Sequence, residues 1–188
     1  MVTHPGAQPA APDAGADAAP PVDPDRFRRA VGRFATGVCV VTSRLGRHDH
    51  AMTANAFMSV SLEPLLVVVS IAEDTRFLEA VVDTGTWGVS VLGEAQRPAA
   101  RWLATPGRPV VDQLAQVPHR RGAVTGVALL AGALAAMECR TRQVHPAGDH
   151  HLVVGEVVGV QLGEEAGPPL VYHQGAYRQL AGRPGDPT

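Results

Sequence analysis

The sequence predicts a mainly β protein: an antiparallel β-barrel with short peripheral helices. Six or seven strand-length runs rich in β-branched and apolar residues follow one another between Val38 and Leu180. Turn residues punctuate them, and the stretches between are too short for strands alternating regularly with long crossover helices. With 188 residues, 45% of them hydrophobic and 18% charged, the chain has material for one domain with a real core and too much for a disordered chain.

The first twenty-two residues are mostly Ala and Pro and hold almost nothing to bury, so residues 1–22 are expected to be a disordered tail. Residues 181–188 are expected to be a second, flexible terminus, leaving a domain over 23–180. The domain opens with a helix: Asp23 caps it, Pro24 suits its first position, and Phe27, Ala30, Val31 and Phe34 follow at helical spacing until Gly37. Val38–Thr42 is then a strand, Leu45–Asp49 a polar turn and His50–Ala54 the hairpin partner. Leu65–Ile71 is a continuous apolar run, expected to be a strand buried on both faces. Thr75 starts a short helix that Gly85 ends, Trp87–Leu92 is the next strand, and a second short helix runs through Ala99, Ala100, Trp102 and Leu103. Two long strands, Ala131–His145 and His150–Val160, meet at the Pro146–Asp149 turn, and Leu170–Leu180 is a last short strand containing Tyr172 and Tyr177.

Sixteen Lys and Arg against eighteen Asp and Glu give a net charge of −2 with no block of like charge, which argues against a nucleic-acid partner. No apolar run is long enough to span a bilayer, the first residues lack a secretory pattern, and two cysteines make no disulfide framework. A cytoplasmic protein without a membrane partner is expected. The common nucleotide-loop, hydrolase-elbow and zinc-protease motifs are missing. His48, His50, His145, His150 and His151 cluster near two turns, but adjacent strand residues face opposite ways and no carboxylate motif completes a ligand set, so no metal site is expected.

Two polar features remain. In Met52–Pro64, Thr53, Asn55, Ser59 and Ser61 share one parity, so an extended chain puts them on one face. Such a row suits a polyol or sugar phosphate, and equally an ordinary solvent-facing strand. Thr75-Arg76 adds a helix start and a guanidinium suited to phosphate. In Gly148-Asp149-His150-His151, a turn Asp holds a His at the start of a strand, either as a ligand contact or as a solvated imidazole.

Taken together, Phe34–Thr42, Met52–Pro64, Gly148–Val157 and Pro169–Arg178 resemble, in order and spacing, the flavin reductase-like, FMN-binding split-barrel family. The resemblance covers Phe27 to Leu180, with Pro64-Leu65, Ser90 and Cys39 as its departures. It implies a split barrel and an NAD(P)H:flavin oxidoreductase, with FMN or FAD as flavin, NADH or NADPH as donor, and reduced flavin diffusing to a partner flavin-dependent monooxygenase. It implies that Thr36, Met52, Thr53, Ala54, Asn55 and Tyr177 contact the flavin and that Ser59 sits near its ribityl phosphate. Ser70 and Ile71 would give backbone contacts, Thr75 and Arg76 would meet phosphate, and His150 would stand on the nicotinamide side as the catalytic residue. The alternatives are a non-enzymatic flavin- or haem-binding module on the same barrel and, less well matched in basic residues, oxidation of a pyridoxine phosphate. The apolar run Val124–Ala131 is expected to leave surface for a second copy, and the resemblance likewise implies a homodimer.

Overall fold

The structure is a computed structural model that describes residues 20–109, 111–164 and 167–180. Apart from residues 20–22, the two expected terminal segments lie outside the described residues. In chain order the elements are α1 (Pro24–Val31), β1 (Thr36–Gly37), β2 (Cys39–Leu45), β3 (His48–Ala54), β4 (Phe57–Leu62), β5 (Leu65–Ala72), α2 (Arg76–Thr84) and β6 (Thr86–Val91). A 3₁₀ turn (Glu94–Gln96) leads into α3 (Arg97–Ala104). There follow β7 (His119–Arg121), β8 (Ala128–Leu130), β9 (Ala135–Ala147), β10 (His150–Leu162), β11 (Val171–His173) and β12 (Ala176–Arg178).

Seven strands form one antiparallel sheet in the order β3-β2-β6-β9-β10-β5-β4. Its two edge strands are consecutive in sequence and joined only by Asn55-Ala56, so the sheet must curl until its edges approach. The packing shows the same curl: Cys39 and Val41 of β2 share one buried cluster with Val67, Val69 and Ile71 of β5, although three strands lie between them in the sheet. Phe77, Leu78 and Val81 of α2 join that cluster. Among the described residues β3 and β4 make no ladder with each other, and the barrel is split at that seam.

Local chemistry explains the elements. Thr75 caps α2 by accepting the Leu78 N–H, and Gly85 ends it at φ +64°, a left-handed conformation in which other residues are strained. Gly155 lies at a register shift in β10, where a Cβ would come within 2.5 Å of the Trp87 ring, so only glycine lets that indole lie flat against the strand. A second buried cluster covers the outer face of β2 and β3 with α3, Leu114, Val117 and β8. Glu138, 2% exposed, pins the turn before β8 by accepting from Val124 N (3.0 Å), Thr125 N (2.6 Å) and Thr125 Oγ1 (2.7 Å).

Several expectations need correction. Helix α1 ends at Val31 with Gly32 as cap, before Phe34, and Phe27, Val31 and Phe34 are 60%, 53% and 75% exposed. β5 is buried on one face only: Val67, Val69 and Ile71 point inward, while Leu66, Val68 and Ser70 are half-exposed. The single parity of Thr53, Asn55, Ser59 and Ser61 fails, because the chain steps across the seam at Asn55-Ala56 and a bulge follows between Ser59 and Ser61. Leu170–Leu180 is a hairpin of two short strands, turning at Gln174-Gly175 with φ of 50° and 75°. Within Val124–Ala131, Val127 to Leu130 are buried in the chain's own core, so the apolar centre of that run is not free for a second copy and only its ends are exposed.

A cleft at the barrel seam

A large cleft lies at the seam, where the Asn55-Ala56 step crosses from β3 to β4. Its volume is about 670 Å³, and Phe34, Val38, Cys39, Phe57, Met58, Val68 and Leu152 give it largely apolar walls. Thr36, Asn55 and Ser70 are its polar groups, and no charged side chain among the described residues lines it. Small-molecule sites run to about 300–1,000 Å³ with apolar walls and a few placed polar groups, so these residues fit a planar cofactor ring. A smaller cleft of about 210 Å³ adjoins it, lined by Val38, Thr53, Ala54, Asn55, Ala104, Tyr172 and Tyr177. Val38 and Asn55 belong to both. Between the clefts Asn55 Nδ2 donates to Thr36 Oγ1 at 3.3 Å.

Secondary structure fixes these groups from several directions. Thr36 lies on β1, which pairs with β11 in the register Thr36–Tyr172. Val38 N donates to Leu170 O and Leu92 N donates to Val38 O, tying the small sheet to the barrel. Ser70 N donates to Ala56 O at 3.0 Å, which commits its backbone N–H and leaves its hydroxyl for a ligand. Thr53 Oγ1 donates to Ala100 O of α3 at 2.7 Å, so Thr53 is already engaged at the back of the smaller cleft.

Of the residues the sequence singles out, Thr36, Asn55 and Ser70 come together in the larger cleft and Thr53, Ala54, Asn55 and Tyr177 in the smaller. Met52 packs half-buried against the barrel core, and the Ile71 side chain is fully buried there. Ser59 is exposed on edge strand β4, in register with Val67. Thr75 caps α2, and the exposed Arg76 begins that helix outside the cleft lining.

His150 pairs with Ala72 and Leu152 pairs with Ser70, so His150 stands on the cleft-side face one pleat beyond the rim, roughly 6–7 Å along the strand. Its Nδ1 bonds Asp149 Oδ1 at 2.7 Å, and this bond holds the Asp149 carboxyl below the usual carboxylate range. Glu73 N donates to Asp149 O at 3.0 Å, anchoring the turn to the end of β5. His151, in register with Ile71, points into the barrel, and its Nδ1 is buried without a partner among the described residues.

Sequence reasoning missed the apolar walls. Phe34, Val68 and Leu152 carry no chemical mark in a sequence, and only the curl of the sheet brings them together. The Cys39 thiol donates to Ala54 O at 3.3 Å, and burial pushes its pKa up to about 12, so this lining residue is a neutral thiol.

Comparisons with known proteins follow the same geometry. The family described as flavin reductase like domain matches residues 31–181. The reductase component of 4-hydroxyphenylacetate 3-monooxygenase from Thermus thermophilus is 43% identical over 156 residues, 83% of this chain and 96% of that protein. The NADH-dependent FMN reductase AsuE2 of Streptomyces nodosus subsp. asukaensis is 39% identical over 96% of this chain and 98% of its own length. Among solved structures, BorF, the flavin reductase component of a bacterial two-component tryptophan halogenase, superposes with a TM-score of 0.79. It is 40% identical, and the match covers 86% of this chain and all of that one.

Proposed function

Since the chain belongs to the flavin reductase-like domain family, we propose that it is an NADH-dependent flavin reductase acting on FMN or FAD. The observation that carries this reading is the seam cleft: a large, uncharged, apolar-walled site with Thr36, Asn55 and Ser70 as its polar groups and His150 on the adjoining face. When bound, the flavin supplies the electron-accepting N5 to which the nicotinamide hydride passes, so the protein contributes binding, alignment and exclusion of water.

The chain's residues divide that work. Phe34, Val38, Phe57 and Leu152 give an apolar wall for a planar ring, and the Asn55 amide, Thr36 hydroxyl and Ser70 hydroxyl set its orientation. Asp149 holds the His150 imidazole through Nδ1, which turns Nε2 outward to meet a carboxamide on the nicotinamide side. His150 thus positions the donor, and no nucleophile or carboxylate pair is required.

The finer parts of the reading are proposals too. Exposed Phe34, Met58 and Leu152 at the cleft mouth support a homodimer whose second copy covers them. The relatives named as reductase components support a flavin-dependent monooxygenase as the consumer of the reduced flavin. Two free, buried cysteines suit a cytoplasmic setting, and no helix among the described residues is long and apolar enough to cross a membrane.

Steady-state oxidation of NADH and NADPH, with FMN, FAD or riboflavin added, tests the proposal. Flavin-dependent oxidation with NADH preferred is the expected result. No turnover with either nucleotide would overturn it, and a tightly coloured protein without turnover would favour a flavin- or haem-binding module.

A further inference from the structure

We propose that the smaller cleft is the subsite for the adenosine-5′-phosphate part of a dinucleotide, with the adenine against Tyr172 and Tyr177 and the phosphate at Arg101. The inference rests on the flavin reductase reading and adds to it a place for the half of FAD or NADH that does no redox chemistry.

Size is the first argument. At about 210 Å³ the cleft falls below the usual range for a whole cofactor and suits one ring system. Continuity is the second: it shares Val38 and Asn55 with the seam cleft, and the shared Asn55 side chain bonds Thr36 of the larger cleft at 3.3 Å. A molecule with a ring in each cleft and a flexible diphosphate between them matches that layout, and it gives Thr53, Ala54 and Tyr177 to the adenylate instead of the flavin ring to which family resemblance assigned them.

The walls give the chemistry. Tyr172 and Tyr177 sit edge to face, with centroids 5.6 Å apart and planes at 66°, so the pair is held rigidly and offers aromatic surface to a ligand ring. The hairpin register Tyr172–Tyr177 and the Thr36–Tyr172 pairing fix both rings to the cleft wall. Arg101 lies three residues before Ala104 on α3, hence on the helix face that lines the cleft. It is exposed, no salt bridge among the described residues uses it, and its charge acts on the Tyr177 hydroxyl. A guanidinium beside an aromatic wall binds a phosphate next to a purine well.

The test uses the full chain without flavin and 5′-AMP as the probe, titrated by calorimetry. Wild type is expected to bind AMP weakly. Arg101→Gln should weaken it about tenfold, as expected for one charge-assisted contact, and Tyr177→Ala similarly, while Tyr177→Phe stays within about twofold. Arg101→Gln changes an exposed helix position and carries the test alone if Tyr177→Ala fails to fold.

Two further measurements identify the source of the adenylate. A fall in the FAD-to-FMN affinity ratio in Arg101→Gln assigns the subsite to FAD. A fall in the preference for NADH over reduced nicotinamide mononucleotide assigns it to the donor. AMP binding that Arg101→Gln leaves unchanged, or no AMP binding by a wild type that binds FMN, overturns the subsite alone. A wild type that binds neither FMN nor FAD overturns the flavin reductase reading and the subsite with it.

Discussion

Two adjacent histidines show how one strand position separates a proposed donor contact from an inward-facing residue. His150 faces the cleft side and is held by Asp149; His151 faces the barrel interior. Replacing His150 by Ala removes a contact to a neutral carboxamide, worth about 0.5–1.5 kcal/mol, so the KM for NADH should rise about two- to tenfold while flavin affinity stays near wild type. Equal loss of flavin affinity, measured by fluorescence titration, would show that His150 belongs to the flavin site instead. His151→Ala is expected to lower the melting temperature and leave the KM for NADH alone, because its ring packs inward. The thiols give a second prediction at this scale. Burial raises Cys39, and burial with the Glu138 charge raises Cys139, each to about 12 against an ordinary value of about 8.5. At pH 8 both should resist a disulfide reagent in the native protein and react fully in denaturant. Because the unfolded thiols ionise first, stability should fall as pH climbs from about 8.5 towards 12, and base titration of the unfolding midpoint checks this. The Gly148-Asp149 turn and the pairing of Asp149 with His150 were legible in the sequence because both are strictly local, although the sequence left the role of the imidazole open. The engagement of Thr53 with α3 was not, since Ala100 is 47 residues away and its carbonyl has no sequence signature.

An element whose start and stop are both marked locally matched its expectation, whereas α1, with no strong local stop before Gly37, ended early and the segments set by distant partners departed further. Helix α2 carries its own cap and its own left-handed stop, so its bounds follow from Thr75 and Gly85. The parity of the Met52–Pro64 segment failed because the step across the open seam and a bulge in β4 reset the alternation. The turn before β8 depends on Glu138, which no local pattern marks. Burial pushes the Glu138 carboxyl up, but bonds from Thr125, Val124 and Ala123 outweigh it and hold the carboxyl below its ordinary value. A carboxylate held low stabilises the fold fully above the unfolded value of about 4.3 and loses that contribution as pH falls through the native value. Glu138→Gln should therefore cost about 2–3 kcal/mol in urea unfolding at pH 7, with the gap to wild type narrowing in acid. A gap that holds constant down to pH 3 would mean that packing, rather than charge, accounts for the loss.

The curled sheet brings a two-residue connection to the wall of the seam cleft, and the same curl leaves apolar residues outside. Phe27, Val31 and Phe34 near α1, and Met58, Val60 and Leu62 on edge strand β4, are exposed in the single chain. They are a better reason to expect a second copy than the Val124–Ala131 run, whose centre is buried. Sedimentation at micromolar concentration should give a dimer, and Phe34→Asp should shift it towards monomer; a monomeric wild type would refute this. The barrel itself was legible from strand spacing and turn residues, while the split was implied by family resemblance and needed the edge order to be seen. Trp87 is fully buried against Gly155, and Trp102, 42% exposed, donates from its indole to Gln113 O on the outer layer. The protein therefore contains two intrinsic fluorophores in unlike surroundings. Trp87 should emit at the blue end and shift red only when the barrel opens, whereas Trp102 is open to collisional quenchers throughout. Single-tryptophan variants would thus give separate optical signals for loss of the barrel and for movement of the outer layer.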